Sequence, residues 1–364
     1  MFDPIKASKE IKDSYIDYIT TTFDMADTDY EREFRKELQT DGMVASGPFL
    51  DIGGSYETGH TLRELIQAQK ASILFENLEP VAEKERELKL DRPLYQHQET
   101  AMLKADKGEN LVVTTGTGSG KTESFLLPII NHLLREQEAG TLSAGVRAII
   151  IYPMNALAND QMKRMRALFK NYPQICYGVY NGNTEHTQSK ALAEYHRTYH
   201  DEAGEPIDPA PNEIISREVM QERPPHILIT NYSMLEYMML RPKDDAVFSG
   251  AKLKFIVLDE AHIYKGATGM ETSLLMRRLR ARISEPDSVQ YILTSATLGG
   301  PDADGDILSF AEKLCGVAFQ RSGIIRSTEK RPAMEDFLDF APALFEELQR
   351  SPDISSVLAR YHAD

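Results

Sequence analysis

The chain has 364 residues, room for one large or two to three smaller domains, and its 41% hydrophobic and 27% charged residues are an ordinary globular composition. A formal net charge of −15 argues against a protein that coats nucleic acid by bulk attraction, although a localised basic groove is compatible with it. No apolar run approaches the roughly 20 residues that cross a bilayer, no signal-peptide core opens the chain, and Cys176 and Cys315 form no CxxC pair, so neither a metal cluster, a disulfide framework nor a membrane role is indicated and a reducing, cytoplasmic setting is expected.

Residues 1–90 read as a helical accessory segment packed on the domain C-terminal to it. Ile11, Tyr15, Tyr18 and Ile19 share one helical face, and Tyr30, Phe34 and Leu38 recur every fourth residue. Residues 41–59 are rich in Gly and Ser and read as loop. Thr61-Leu62-Arg63-Glu64 has the spacing of a capping box and opens a third helix.

Near residue 91 the character changes. Tyr95 and Gln98 lead a helix predicted to run to Lys107. An apolar run, Leu111-Val112-Val113, then enters Thr114-Thr115-Gly116-Thr117-Gly118-Ser119-Gly120-Lys121-Thr122, and helical apolar spacing continues from Phe125 to Leu134. Strand, glycine-rich turn, Gly-Lys-Thr and helix are the layout of a phosphate-binding loop. Glycines let the backbone approach a phosphate, and amides at a helix N-terminus favour an anion. Lys121 is placed to reach the β/γ-phosphates and Thr122 to ligate Mg²⁺. One departure is Thr115, where the strict pattern has Gly. Gln98, ahead of such a loop, carries the donor and acceptor that pair with an adenine edge, and Tyr95 is suited to pack on the base.

Five further strands are predicted: 146–152, 176–180, 226–229, 253–258 and 289–293, with a helix over 156–169. Near-continuous apolar runs separated by helices imply an α/β fold, a parallel sheet covered on both faces, whose ligands bind at the carboxyl ends of the strands. Residues 184–225, acidic and proline-rich between Asp201 and Pro209, read as a long, partly disordered loop.

Two acids, Asp259-Glu260, then Ala261-His262, close the fifth of the six strands. Beside a phosphate loop, Asp259 suits Mg²⁺ and Glu260 suits orienting and deprotonating water. The sixth strand ends in Thr294-Ser295-Ala296-Thr297, where small hydroxyls are placed to hydrogen-bond His262.

Gln98, Gly116–Thr122, Asp259–His262 and Ser295–Thr297 together resemble the Q motif and motifs I, II and III of superfamily 2 DEAD/DEAH-box helicases. The resemblance covers about residues 91–320. It implies a RecA-like first motor lobe of the P-loop NTPase class. It implies that ATP is bound by Tyr95, Gln98, Thr115, Gly116, Thr117, Gly118, Ser119, Gly120, Lys121 and Thr122. Mg²⁺ falls on Thr122 and Asp259, catalysis on Lys121, Asp259, Glu260 and His262, and coupling on Ser295 and Thr297. Residues 152–161 look like motif Ia and 230–235 like motif Ib, with Thr-Asn in place of the usual Thr-Pro. The resemblance then puts nucleic-acid contacts on Pro153, Asn155, Ala156, Gln161, Gly182, Thr184, Thr230 and Asn231. Residues 259–269 with 275–280 are similar to a bacterial branch that includes mitomycin-repair factor A-like helicases and the DrmA-type helicases of DISARM phage defence. That branch implies DNA as the nucleic acid and partner subunits of a defence or repair complex. Arg277, Arg278, Arg280 and Arg282 read either as a solvated helix face or as a contact to DNA or to a second lobe.

The expected division is 1–90 accessory, 91–325 ATP-binding lobe and 326–364 helical linker, with an amphipathic helix over 335–348. Second-lobe motifs are not visible, so this chain reads as one lobe of a motor whose partner is its own second RecA-like lobe. The alternatives are a double-stranded DNA translocase of a defence complex, a protein-moving ATPase and a non-catalytic nucleic-acid-binding module.

Overall fold

The computed structural model describes residues 4–23, 26–40, 42–46, 55–78, 88–116, 118–170, 172–201, 204–283, 285–297, 299 and 301–330. The helix expected over 335–348 lies outside them. The chain divides into two compact units, 1–54 and 55–364.

The first unit holds α1 (Pro4–Thr22) and α2 (Thr28–Gln39). Asp27 caps α2 by accepting from the amides of Asp29 and Tyr30, and Arg35 of α2 is ion-paired with Asp17 of α1. The expected apolar stripe is not the buried face. Ile11, Tyr15, Tyr18 and Tyr30 are exposed, whereas Ile16 and Thr20 are buried.

The second unit begins inside the expected accessory segment. β1 (Thr58–Thr61) leads through the Thr61–Glu64 capping box into α3 (Leu62–Gln67). β2 (Pro93–Tyr95) pairs antiparallel with β1 and leads into α4 (Gln96–Asp106). Leu62, Leu65, Phe75, Leu78, Leu88 and Leu90 lie in the same core cluster as the central strands. The compact units divide at 54/55 rather than at the expected 90, and burial of these side chains puts the described residues 55–78 and 88–90 with the lobe.

The remaining elements are β3 (Leu111–Thr114), α5 (Lys121–Glu138), β4 (Ala148–Tyr152), α6 (Asn155–Phe169), β5 (Tyr177–Tyr180), α7 (Gln188–Thr198), β6 (Glu213–Ile214), α8 (Arg217–Glu222), β7 (Ile227–Asn231), α9 (Tyr232–Leu240), α10 (Asp245–Phe248), β8 (Phe255–Leu258), α11 (Gly266–Arg282), β9 (Gln290–Ser295), α12 (Asp304–Cys315) and β10 (Ile324–Arg326). Eight strands form one parallel sheet in the order β10-β3-β9-β8-β4-β7-β5-β6. Alternation along each strand splits the core. Leu111, Val113, Ile150 and Tyr152 face one cluster with α5 and α6; Val112, Ile149 and Ile151 face the other with α9, α11 and α12. The predicted RecA-like α/β architecture is thus observed, with helices on both faces.

Two regions depart from expectation. The stretch 184–225 carries α7, β6 and α8, and β6 extends the sheet edge beside β5. Its polar residues disguise buried anchors: Arg166 makes a bidentate ion pair with Glu213, at 2.8 and 2.7 Å. β10, also unforeseen, pairs with β3 at the opposite edge, where a Cβ on Gly323 would lie 2.3 Å from the Asn110 carbonyl. Only glycine lets the chain pass so closely.

Candidate functional site

The predicted functional residues gather at the carboxyl ends of β3, β8 and β9, as parallel-sheet packing requires. β3 ends at Thr114, and Thr115 donates its amide to the Ser295 carbonyl at 3.2 Å, so the phosphate loop leaves the sheet tied to the end of β9. Gly118 and Gly120 adopt φ of +75° and +71°, the left-handed region natural to glycine. The Ser119 hydroxyl bonds Thr115 Oγ1 at 2.7 Å and the Gly116 carbonyl at 2.8 Å, closing the loop on itself. Thr117 lies outside the described residues. Lys121 and Thr122 open α5, both half-buried.

The upstream segment buttresses this loop. Gln98 Nε2 donates to the Gly120 carbonyl at 3.0 Å, while its Oε1 accepts from the Tyr95 amide at 3.0 Å. The amide expected to read adenine thus grips the phosphate loop in this arrangement. His97, not singled out from the sequence, donates Nε2–H to the Ser119 carbonyl at 2.9 Å. Burial lowers its pKa, which favours the neutral ring that this donation needs. Tyr95 stacks on His97 with centroids 5.5 Å apart, and Tyr56 meets Tyr95 edge-on at 5.5 Å. The Tyr56 hydroxyl lies 3.0 Å from where a Gly116 Cβ would stand.

Facing the loop is the acid pair. Asp259 is half-buried and its desolvation raises its pKa, opposed by the hydroxyl hydrogen bond it accepts from Thr294. Thr294 also stands 3.4 Å from the Glu260 amide as an acceptor, so one hydroxyl addresses both acids. The neighbouring Ser295 and Thr297 were singled out from the sequence and Thr294 was not; its place at the carboxyl end of β9 was the available signal. Glu260 has φ 48° and ψ 46°; among the described residues it and Gln69 are the non-glycines at positive φ. Such backbone costs on the order of 1 kcal/mol or more and survives where the surroundings over-determine it. Here the strain turns the Glu260 carboxylate toward Lys121, 3.3 Å away, and toward His262 Nδ1, 3.2 Å away. The same His262 nitrogen is 3.2 Å from Ser295 Oγ, the contact expected at the end of β9. Thr297 joins through its backbone, donating its amide to Ser295 Oγ at 3.2 Å.

These residues suit a nucleoside triphosphate with a divalent cation. A desolvated carboxyl at Asp259, a second carboxylate beside it and an anion cradle opposite leave negative charge that Mg²⁺ would balance.

Of the residues expected on the nucleic-acid face, Ala156 and Gly182 are exposed and Pro153 is half-exposed. Asn231 Nδ2 donates to Asn155 Oδ1 at 2.8 Å, joining the ends of β7 and β4. Thr184 and Thr230 are buried. Their hydroxyls donate to the Val179 and Tyr180 carbonyls at 2.8 and 2.7 Å, so both side chains hold the sheet rather than face a strand. Gln161 is half-buried, its Oε1 without a hydrogen-bond partner among the described residues. The four arginines of α11 each find a partner on the same lobe, with Arg277, Arg278 and Arg282 exposed: Arg277 bonds the Lys313 carbonyl, Arg278 pairs with Glu236, Arg280 with Asp287 and Arg282 with Asp245. Among the described residues no helix is long and apolar enough to cross a membrane.

The family model for DEAD/DEAH box helicases matches residues 95–203 and 204–304. Among curated proteins, the chain is 32% identical to the Druantia protein DruE of Escherichia coli (strain UMEA 4076-1), over 89% of this chain and 22% of that protein. It is 31% identical to the uncharacterized ATP-dependent helicase YprA of Bacillus subtilis (strain 168), over 59% of this chain and 24% of that protein. The chain thus spans less than a quarter of the length of these relatives. Among solved structures, the DUF1998 helicase MrfA bound to DNA shares the fold with a TM-score of 0.51 and 22% identity, covering 75% of this chain and 31% of that one. The DEAD-box helicase Mss116 bound to ssRNA gives a TM-score of 0.52 at 18% identity, covering 71% and 44%.

Proposed function

This chain belongs to the DEAD/DEAH box helicase family, and on that premise we propose that it is the ATP-binding lobe of an ATP-dependent DNA helicase or translocase. The observation that carries the reading is the linked set Lys121–Glu260–His262–Ser295, joined by contacts of 3.2 to 3.3 Å at the strand ends. DNA as the track is supported by the branch resemblance of residues 259–269 with 275–280, which also suggests partner subunits and a phage-defence or DNA-repair setting.

In this reading the amides of 116–122 and the Lys121 ammonium hold the triphosphate. Thr122 and Asp259 would hold Mg²⁺, which balances charge on the phosphates. The resting Lys121–Glu260 pair keeps the general base occupied until Lys121 turns to the phosphates. Glu260 then accepts the proton of the attacking water. His262 and Ser295 carry the position of Glu260 to the end of β9. Among the described residues, the side chains paired with the Glu260 carboxylate are Lys121 and His262. The arginines that meet the γ-phosphate in related motors would come from a second RecA-like lobe, a contribution worth about 10³–10⁵ in rate. Residues 1–364 alone are then expected to bind nucleotide weakly and not to unwind a duplex.

In the full-length protein, Lys121→Ala should abolish ATP turnover and Glu260→Gln should leave ATP bound but uncleaved. Steady-state ATPase assays with and without single-stranded DNA test this. Normal turnover in either variant would overturn the assignment, and robust unwinding by residues 1–364 would overturn the division of labour.

A further inference from the structure

Glu123 comes directly after the Gly-Lys-Thr triplet on the first turn of α5, and no motif includes it. Its carboxylate lies against the phosphate loop: Oε2 is 3.0 Å from where a Cβ on Gly120 would stand, and the Gln98 amide is 2.4 Å from the same point. The other oxygen, Oε1, is ion-paired with Arg164 on α6. The pair is mostly shielded, with side chains 15% and 20% exposed, and Oε2 is buried without a hydrogen-bond partner among the described residues.

Arg164 sits in the third turn of α6, whose first residue is Asn155. Asn155 Oδ1 in turn accepts from Asn231 Nδ2 at the end of β7. One contiguous path therefore runs from the phosphate loop through Glu123, Arg164 and the body of α6 to the Asn155–Asn231 contact on the face read as the nucleic-acid surface. α6 is a rigid element with Met162, Met165, Leu168 and Phe169 buried, so a displacement at Arg164 moves its N-terminal end. A carboxylate with one oxygen satisfied and one orphaned is an arrangement that a shift of the loop amides would change, and a two-arrangement contact is the physical requirement for coupling.

We propose that Glu123 and Arg164 form a positioning strut that transmits the state of the phosphate loop to the nucleic-acid-facing loops after β4 and β7. The proposal rests on the helicase reading above. Neither residue touches the reacting atoms, so the strut governs the response to nucleic acid rather than the chemical step.

The test uses the full-length protein and measures ATPase rates across ATP concentrations, with and without single-stranded DNA. Wild type must first show stimulation; if it shows none, the helicase reading fails and not the strut alone. In Arg164→Met, the basal rate and the KM for ATP are expected within about twofold of wild type, with stimulation reduced about tenfold. The exchange Glu123→Arg with Arg164→Glu is expected to regain part of that stimulation, and Arg164→Lys most of it. Unchanged stimulation in folded Arg164→Met would overturn the strut. So would a parallel fall in basal and stimulated rates, which marks mere support of the loop. If Arg164→Met melts early, Arg164→Lys and the charge exchange decide: equal loss of basal and stimulated rates in both overturns the proposal.

Discussion

A single ring nitrogen shows how residue-scale geometry becomes a pH dependence. His226 is buried at the start of β7, where its Nδ1 accepts from the Cys176 amide at 3.0 Å and its Nε2 donates to the Ser143 carbonyl at 3.2 Å. Those bonds define one neutral tautomer, and burial, with Arg147 adding to it, lowers the pKa to about 4. Below about pH 6.5 the unfolded chain takes up a proton that the folded chain refuses. Stability is therefore unaffected by this group above pH 6.5 and falls as pH drops toward 4, by up to about 3 kcal/mol. Urea midpoints at pH 7.5 and 5.0 should separate, and the separation should shrink in His226→Asn. A second residue-scale prediction concerns Gly120. With φ +71° and a prospective Cβ 2.4 Å from the Gln98 amide, Gly120→Ala should cost about 1–3 kcal/mol of stability. It should also weaken binding of a fluorescent ATP analogue, read by titration.

At the scale of elements, β6 and α8 hang on one glycine. A Cβ on Gly178 would lie 2.6 Å from both the Ile214 carbonyl oxygen and Met220 Cε. The carbonyl belongs to the partner strand and cannot retreat without parting β5 from β6. Gly178→Ala should therefore destabilise the lobe by about 1–3 kcal/mol and raise amide exchange in 213–222 before 148–152. Uniform exchange across both would contradict this. Helix α11 shows the converse. Its arginines read as a solvated face in sequence, and Arg277, Arg278 and Arg282 are exposed, but each also finds a partner on α9, α10, α12 or the adjoining turns. Spacing along one helix says nothing about the carbonyls and acids its neighbours present.

The whole molecule is decided by which residues share a core. Leu62, Leu65, Phe75, Leu78, Leu88 and Leu90 are buried with the β3–β4 layer. A chain beginning at Ser55 should keep a single cooperative melt. One beginning at Asp91 should lose it, because each buried leucine or phenylalanine withdrawn costs about 1.5–3 kcal/mol against a total of roughly 5–15 kcal/mol. Circular dichroism melts of the two chains distinguish the boundary at 54/55 from one at 90.

The central strands, the phosphate loop and the acid pair were legible in the sequence because each is a local pattern. Val112 between Leu111 and Val113, Gly118 and Gly120 ahead of Lys121, and Asp259-Glu260 after four buried residues all act through their immediate neighbours in the chain. What the tertiary structure alone decided depends on residues far apart in the chain. It set the hold of Gln98 on Gly120, the role of Thr294 under both acids, and the retreat of Thr184 and Thr230 into the sheet. It organised 184–225 through Arg166 and Glu213, and it drew side chains of 62–78 and 88–90 into the core. A hydrogen bond or buried contact between such residues leaves no periodicity in the sequence, since its partner is set by the sheet order and not by spacing along the chain.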